Sequence, residues 1–387
     1  MKYKYITSLV VILFLLSVSI TSIIRPDYNV SEQEGRKLQQ IPTKDMFKES
    51  GYINGLLNGE VFKTWDNYFG DQIVGRGKIV SIYTKIQKLL GKRYINKVYL
   101  TDDNDYIEDS KYDKYDDKYI KNRAENFNIL ADRFSYSKVY TVNIPNKNYA
   151  YESKIPIKDY KAEQSIYIPK IFKYINNNIN KIDLTNKMKE NPNYYYKTYH
   201  HMNMDGAYEV YKEIISNISK DFPDVKSPKD KSEYYIKNYK NSFIGSQGRK
   251  VLSILDKKDD IQVYYDKSFV DYKAYNENGQ ANLYYEGYIK GESLSTDYAV
   301  YLGGNNGLYK LYNNQSENNI KIAIIGDSID NPLIPLMAPH FKELYSYDLR
   351  YYEGNILDDI ENINPDIIMC IGLSNNFINE TDVFKWR

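Results

Sequence analysis

Three histidines occur in this chain of 387 residues, and two of them are adjacent: His200 and His201, in "KTYHHMNMDGAY", residues 197–208. A neutral imidazole is the usual base for a hydroxyl nucleophile. The stretch "KIAIIGDSID" offers such a hydroxyl, because its apolar run ends in Gly326, Asp327 and Ser328. In open α/β sheets chemistry sits at the carboxyl ends of the strands. Gly326 permits a tight turn there, and Ser328 falls just before a helix expected to begin near Pro332. The free N–H groups at a helix start favour developing negative charge. Acyl transfer through a serine is the chemistry this pairing would serve. The same residues also read as structure alone, with Asp327 or Ser328 capping one helix and the histidine pair capping another at 205–219. His340 lies on the same expected helix as Ser328, ~18 Å along its axis. It cannot reach the hydroxyl and is expected at the surface or as a cap.

Other uses of these residue types have less support. Adjacent histidines ligate one ion poorly, and neither a third histidine nor a second cysteine supports them, so no metal is expected. No cofactor is expected either. "FIGSQG", residues 243–248, lacks the G-x-S-x-G spacing and the following helix of a nucleophile elbow. Cys370 is the only cysteine and lies in the apolar run "PDIIMCIGLS". It reads as a buried structural thiol and excludes an internal disulfide.

The elements around these residues point to a parallel sheet. After residue 320 the sequence alternates strand and helix: "KIAIIGDS", "NPLIPLMAPHFKEL", "YDLRYY", "ILDDIENIN" and "PDIIMCIGLS". Apolar strands alternating with helices argue for a sheet covered on both faces. Upstream, apolar spacing predicts helices over 61–90, about 112–134, 163–178 and 205–219, with strands at "KVYTVNIP" and "KIDL" and a hairpin in "INKVYLTDDNDYIED". Residues 230–310 are β-rich, with strands expected at "IQVYYD", "SFVDYKAY", "ANLYYEGYIK" and "YAVYLGG".

Composition bounds the partners. Formal net charge is +1, from 52 Lys+Arg against 51 Asp+Glu, so no basic excess exists to track nucleic acid. Tyrosine is abundant, at 43 residues. Tyrosines can stack on sugar rings, and a general bias toward Tyr, Asn, Lys and Ile accounts for the same count. Lys2 and Lys4 precede residues 6–24, a run without charge. As a helix it would be ~28 Å long, about the hydrocarbon thickness of a bilayer. The basic flank predicts a single-pass signal anchor at 1–24, with the rest of the chain outside the cell membrane. A cleaved signal peptide is the rival reading. Mean hydropathy of −0.63 leaves no room for further spans. Residues 25–60 read as a polar stalk, and 61–387 as one α/β domain with a β-rich insertion at about 230–310.

Several stretches together carry a resemblance. "YYYKTYHHMNMDGAYEVY" resembles the motif of the DHHW protein family, in which Asp-His-His-Trp precedes a Gly-Ala helix start. "SEQEGRKLQQIP", "DNYFGDQIVGR", "VYLTDDNDYI", "YAVYLGGNNG", "IIGDS" and "YDLRYY" follow in the family's order. That family is similar to the SGNH-hydrolase-like proteins that O-acetylate alginate and other exported polysaccharides beside a membrane-bound O-acyltransferase.

The resemblance implies a three-layer α/β/α fold with a mostly parallel sheet. It implies Ser328 as nucleophile and His201 as base; His200 and Asp327, beside them in sequence, are candidate supporting residues. Gly304 and Asn305 fall where an oxyanion contribution would come from. Arg350 falls where a substrate or oxyanion contact or a structural ion pair would lie. Two positions depart from the family: Tyr199 stands where the Asp belongs and Met202 where the Trp belongs. A carboxylate orients the imidazole, and its loss costs ~10⁴ in rate in a serine protease. Asp205 is the nearest substitute in sequence. The implied function is a membrane-anchored O-acetyltransferase or esterase acting on a cell-surface or secreted polysaccharide, partnered by a membrane-bound O-acyltransferase. The alternative is a catalytically impaired polysaccharide-binding or assembly protein on the same fold.

Overall fold

The structure is a computed structural model. It describes residues 2–31, 34, 36–47, 51–103, 105–109, 114–191, 193–251, 258–289 and 297–386. Parts of "SEQEGRKLQQIP", Asn104 of the expected hairpin, the expected helix start at 112–113, and Lys290 of "ANLYYEGYIK" lie outside the described residues. The chain divides into two compact units, one within Met1–Lys92 and Arg249–Asp256, the other within Arg93–Gly248 and Lys257–Arg387.

The first unit opens on the helix Lys2–Ile24, of which Tyr5–Ile24 is long and apolar enough to cross a membrane. Two helices, Glu60–Gln72 and Arg76–Leu89, replace the single one expected over 61–90, and Gly75 in the left-handed region (φ 75) separates them. The segment before them is tied to the first by Gln72. Its side-chain amide donates to the carbonyls of Tyr28 and Gln39 and accepts the Tyr28 N–H.

The second unit is built on an eight-stranded mixed sheet. In chain order its strands are β1 (Lys138–Ile144), β2 (Asn180–Asp183), β3 (Tyr272–Asn276), β4 (Gly279–Ala281), β5 (Leu308–Asn313), β6 (Lys321–Ile325), β7 (Glu343–Tyr347) and β8 (Ile367–Leu373). Their order across the sheet is β4-β3-β5-β7-β6-β8-β1-β2. The run from β7 to β2 is parallel, and β5, β3 and β4 continue it antiparallel. The β-rich stretch therefore extends the sheet through β3 and β4 and adds a separate hairpin, Tyr234–Phe243 with Asp259–Asp266.

The central strands are buried on both faces, and successive side chains join alternate cores because they point to opposite faces. On β8, Ile367, Met369, Ile371 and Leu373 join one core, while Ile368 and Cys370 join the other. The helix Met204–Asp221 covers the first face through Ala207, Val210, Tyr211, Ile214 and Ile218. The helices Asp117–Arg133, Gln164–Tyr174 and Ile356–Ile363 cover the second. Burying each Ile or Leu contributes ~1.5–3 kcal/mol, so both layers hold the sheet. The class is the α/β arrangement expected from the sequence.

Local differences have local causes. The helix expected after Pro332 is only Ile334–Met337, followed by a 3₁₀ turn at Ala338–His340. Pro335 and Pro339 lack the N–H that a longer helix needs. "YDLRYY" is not a strand. β7 ends at Tyr347, and the N–H groups of Tyr351 and Tyr352 turn back onto the Asp348 carbonyl at 2.9 Å. "YAVYLGG" is likewise a 3₁₀ turn, Asp297–Val300, followed by an isolated bridge from Tyr301 to Tyr284.

Candidate active site

The carboxyl ends of β6, β7 and β8 carry the polar residues of interest. Ser328 lies in the turn after β6. The Asp327 carboxylate accepts the Ile329 N–H at 2.9 Å and the side-chain amide of Asn376, which follows β8. The Asp330 N–H closes the turn on the Asp327 carbonyl at 3.0 Å. Gly326 has no room for a side chain: a Cβ would stand 2.2 Å from Asp330 Oδ2 and 2.9 Å from the Ile371 carbonyl oxygen. Asp327 thus holds the nucleophile turn and does not orient a histidine.

The histidine pair lies on a narrow loop that doubles back. Tyr195 bridges to Met202, and the Tyr196 N–H donates to the His201 carbonyl at 3.2 Å. Asn203, not the histidine pair, caps the following helix by accepting the Gly206 N–H at 3.0 Å. Two charged residues pin the loop. Asp259 accepts the N–H groups of Lys197 at 2.7 Å and Thr198 at 2.8 Å, and the Thr198 hydroxyl. The fully buried Lys147 donates to the carbonyls of Tyr106, Tyr196 and Lys197 at 3.0, 2.6 and 2.8 Å. Burial pulls the Lys147 ammonium down to about 8, against the opposing pull of Asp105 and Asp259. "FIGSQG" is a seat for the loop: a Cβ on Gly245 would stand 2.2 Å from the Tyr199 Cβ, so only glycine lets the two approach.

These devices bring His201 Nε2 to 3.2 Å from Ser328 Oγ. His201 is buried, and among the described residues its Nδ1 has no hydrogen-bond partner. Burial, then the neighbouring His200 and Arg350, hold the imidazole well below its ordinary range, so it is neutral at pH 7. A neutral ring with its proton on Nδ1 leaves Nε2 to accept from the serine hydroxyl.

The other expected site residues fall differently. Asp205 is engaged elsewhere, accepting from Lys231 Nζ at 2.6 Å and the Tyr264 hydroxyl at 2.7 Å, and it does not replace the missing carboxylate. Tyr199 meets His201 ring to ring, with centroids 4.4 Å apart and planes at 85°. The Gly304 N–H is spent on the Tyr301 carbonyl at 3.1 Å, which removes it as an oxyanion donor. Its carbonyl accepts from Asn306 and Asn331, while the Asn305 amide reaches the Tyr351 hydroxyl at 3.2 Å. Arg350 forks onto both oxygens of Asp348, at 2.8 and 2.5 Å. Its charge opposes protonation of His201 and lowers Asp327, whose carboxyl burial raises. His340 is not at the surface. It is buried between the Tyr211 hydroxyl at 2.7 Å and the Lys226 carbonyl at 3.0 Å.

Three residues at the site escape a reading of the sequence. Tyr298 stacks on His201 and donates its hydroxyl to the Ser328 carbonyl at 3.1 Å. Asp330 is buried, with one carboxylate oxygen unpartnered among the described residues. Lys147 clamps the histidine loop from 49 residues upstream of Tyr196. No spacing marks Tyr298 among so many tyrosines, and only a fold connects Lys147 to the loop.

No family model and no curated protein matches the chain. Among solved structures the chain is similar to Bacillus cereus PatB1 with a sulfonyl adduct, with TM-score 0.64 and 23% identity, over 76% of this chain and 100% of that one. PatB1 without the adduct gives TM-score 0.63 and 23% identity, over 75% and 99%. A DHHW family protein from Eubacterium siraeum gives TM-score 0.62 and 20% identity, over 75% and 94%. At these identities the likeness is one of fold: the chain has the architecture of a DHHW family protein.

Proposed function

We propose that the chain is a serine-dependent O-acetyltransferase or esterase acting on a cell-surface or secreted polysaccharide. Ser328 is the nucleophile and His201 the base. The observation that carries this reading is the 3.2 Å contact between Ser328 Oγ and the neutral His201 Nε2 at the carboxyl end of β6. As Oγ bonds to the acyl carbon, its proton passes to Nε2. The departing oxygen then takes that proton and leaves an acyl-serine. A sugar hydroxyl, or water in the esterase direction, loses its proton to Nε2, attacks the acyl carbon and restores the Ser328 hydroxyl. Arg350 is assigned to the acyl oxygen, with the Ser328 N–H as a second donor.

The fold is shared with a protein captured as a sulfonyl adduct, which supports a nucleophilic side chain on this architecture. The basic flank of the N-terminal helix supports an anchor with the second unit outside the cell, where a membrane-bound O-acyltransferase would supply acyl groups. The test is hydrolysis of an activated acetyl ester by the full chain in detergent, against Ser328→Ala. Loss of turnover in the variant is the expected result, and equal rates refute the role of Ser328. One observation favours the second reading, a non-catalytic polysaccharide-binding protein: among the described residues His201 Nδ1 meets no carboxylate. Tight polysaccharide binding without turnover would establish that reading instead.

A further inference from the structure

We propose that the rings of Tyr298 and Tyr199 do for His201 what the carboxylate does in a Ser-His-Asp triad, holding the imidazole on Ser328 and stabilising the imidazolium formed during acyl transfer. This rests on the serine acyl-transfer reading above.

A triad carboxylate has two jobs, to fix the ring and to offset its transient charge. Here His201 Nδ1 has no hydrogen-bond partner among the described residues. The ring faces are held instead. Tyr298 lies stacked on the imidazole, with centroids 4.5 Å apart and planes at 29°. Tyr199 stands against it at 4.4 Å and 85°. Tyr298 is buried, and its hydroxyl donates to the carbonyl of Ser328 itself. One side chain therefore touches both base and nucleophile and fixes their separation.

The charge is met in the same way. When the Ser328 O–H bond breaks and its proton reaches Nε2, His201 becomes a cation. The charges that bear on it, His200 and Arg350, oppose that state, and Arg350 is already paired with Asp348. Asp327 is turned onto Ile329 and Asn376. A cation beside a desolvated aromatic face is stabilised by the ring quadrupole, on the order of ten- to thirty-fold in rate. Tyr298 supplies such a face, and it stays neutral because burial raises its hydroxyl well above the ordinary range.

The test compares phenylalanine and pentafluorophenylalanine at position 298 in the full chain in detergent. The two share a shape, but fluorination reverses the ring quadrupole. The fluorinated ring is expected to lower the acetyl-ester kcat roughly ten- to thirty-fold below that of Tyr298→Phe, with KM within twofold. The acidic limb of kcat/KM and the ¹⁵N titration of His201 should both move to lower pH with the fluorinated ring. Equal kcat and equal His201 titration for the two rings would overturn the proposal. So would a Tyr298→Phe loss as large as that of the fluorinated ring, which would place the effect in the hydroxyl. If the wild-type chain hydrolyses no ester, the acyl-transfer reading fails, and the His201 titration still decides whether the rings stabilise the imidazolium.

Discussion

Ser328 Oγ and His201 Nε2 stand 3.2 Å apart across 127 residues of chain. The contact depends on two independent anchors. The turn after β6 fixes the serine through Gly326, Asp327 and Asn376, and Lys147 and Asp259, each bound separately to its backbone, fix the histidine loop.

Lys147→Met should therefore weaken both fold and site. It removes three hydrogen bonds to carbonyls and leaves those oxygens buried. A destabilisation of ~3 kcal/mol is expected. Ester turnover should fall at temperatures where the variant is still folded. Urea unfolding and turnover measured together check this, and unchanged turnover in a destabilised variant would mean that the clamp does not position His201.

Asp330→Asn should stabilise the protein at neutral pH. Burial, then the nearby Asp327 and Asp348, raise the Asp330 carboxyl well above the usual range. Folding then takes up a proton, so stability is lost as pH rises above the ordinary carboxylate pKa toward the folded one. A neutral amide avoids that loss, with an expected gain of ~1–2 kcal/mol at pH 7 and almost none at pH 4. Thermal unfolding at the two pH values reads the difference.

Acid should destabilise the fold through His340. Burial lowers this imidazole to about 4. The unfolded chain binds a proton below about 6.5 and the folded one only below about 4, so stability falls as pH drops through that window. The His340 share is at most ~3 kcal/mol at ~1.4 kcal/mol per pH unit. His201 titrates with the same sign. The difference between wild type and His340→Met, followed by urea unfolding from pH 7.5 to 4.5, isolates the His340 part and should narrow toward the acid end.

How much of this was legible beforehand differs by residue. The continuous apolar runs of β6 and β8, buried on both faces, and the 3.6-residue period of the Met204–Asp221 helix are both readable in the sequence. The pairing of Ser328 with His201 could be reasoned from scarcity, since the third histidine lay too far along the chain. The partner of His201 could not. A tyrosine at 199 gave no sign that its ring, rather than its hydroxyl, faces the imidazole, and Tyr298 has no marked position in sequence. Asp205 looked available because its neighbours in space, Lys231 and Tyr264, are distant in sequence. The helix after Pro332 is shorter than its apolar spacing predicts because Pro335 and Pro339 interrupt it.

The N-terminal helix should decide solubility. The full chain is expected in the membrane fraction and a chain lacking residues 2–24 in the soluble one. Protease added to intact cells should degrade the second unit of the full chain. Recovery of the full chain as a soluble protein would contradict the anchor.

The central claim is that Ser328 is a nucleophile activated by His201. Mass spectrometry of the full chain after treatment with a small sulfonyl fluoride tests it most directly. The expected result is one sulfonyl adduct on the Ser328 peptide, absent in Ser328→Ala and slowed at least tenfold in His201→Ala. An unmodified Ser328 in folded wild type, or modification at the same rate in His201→Ala, would contradict it.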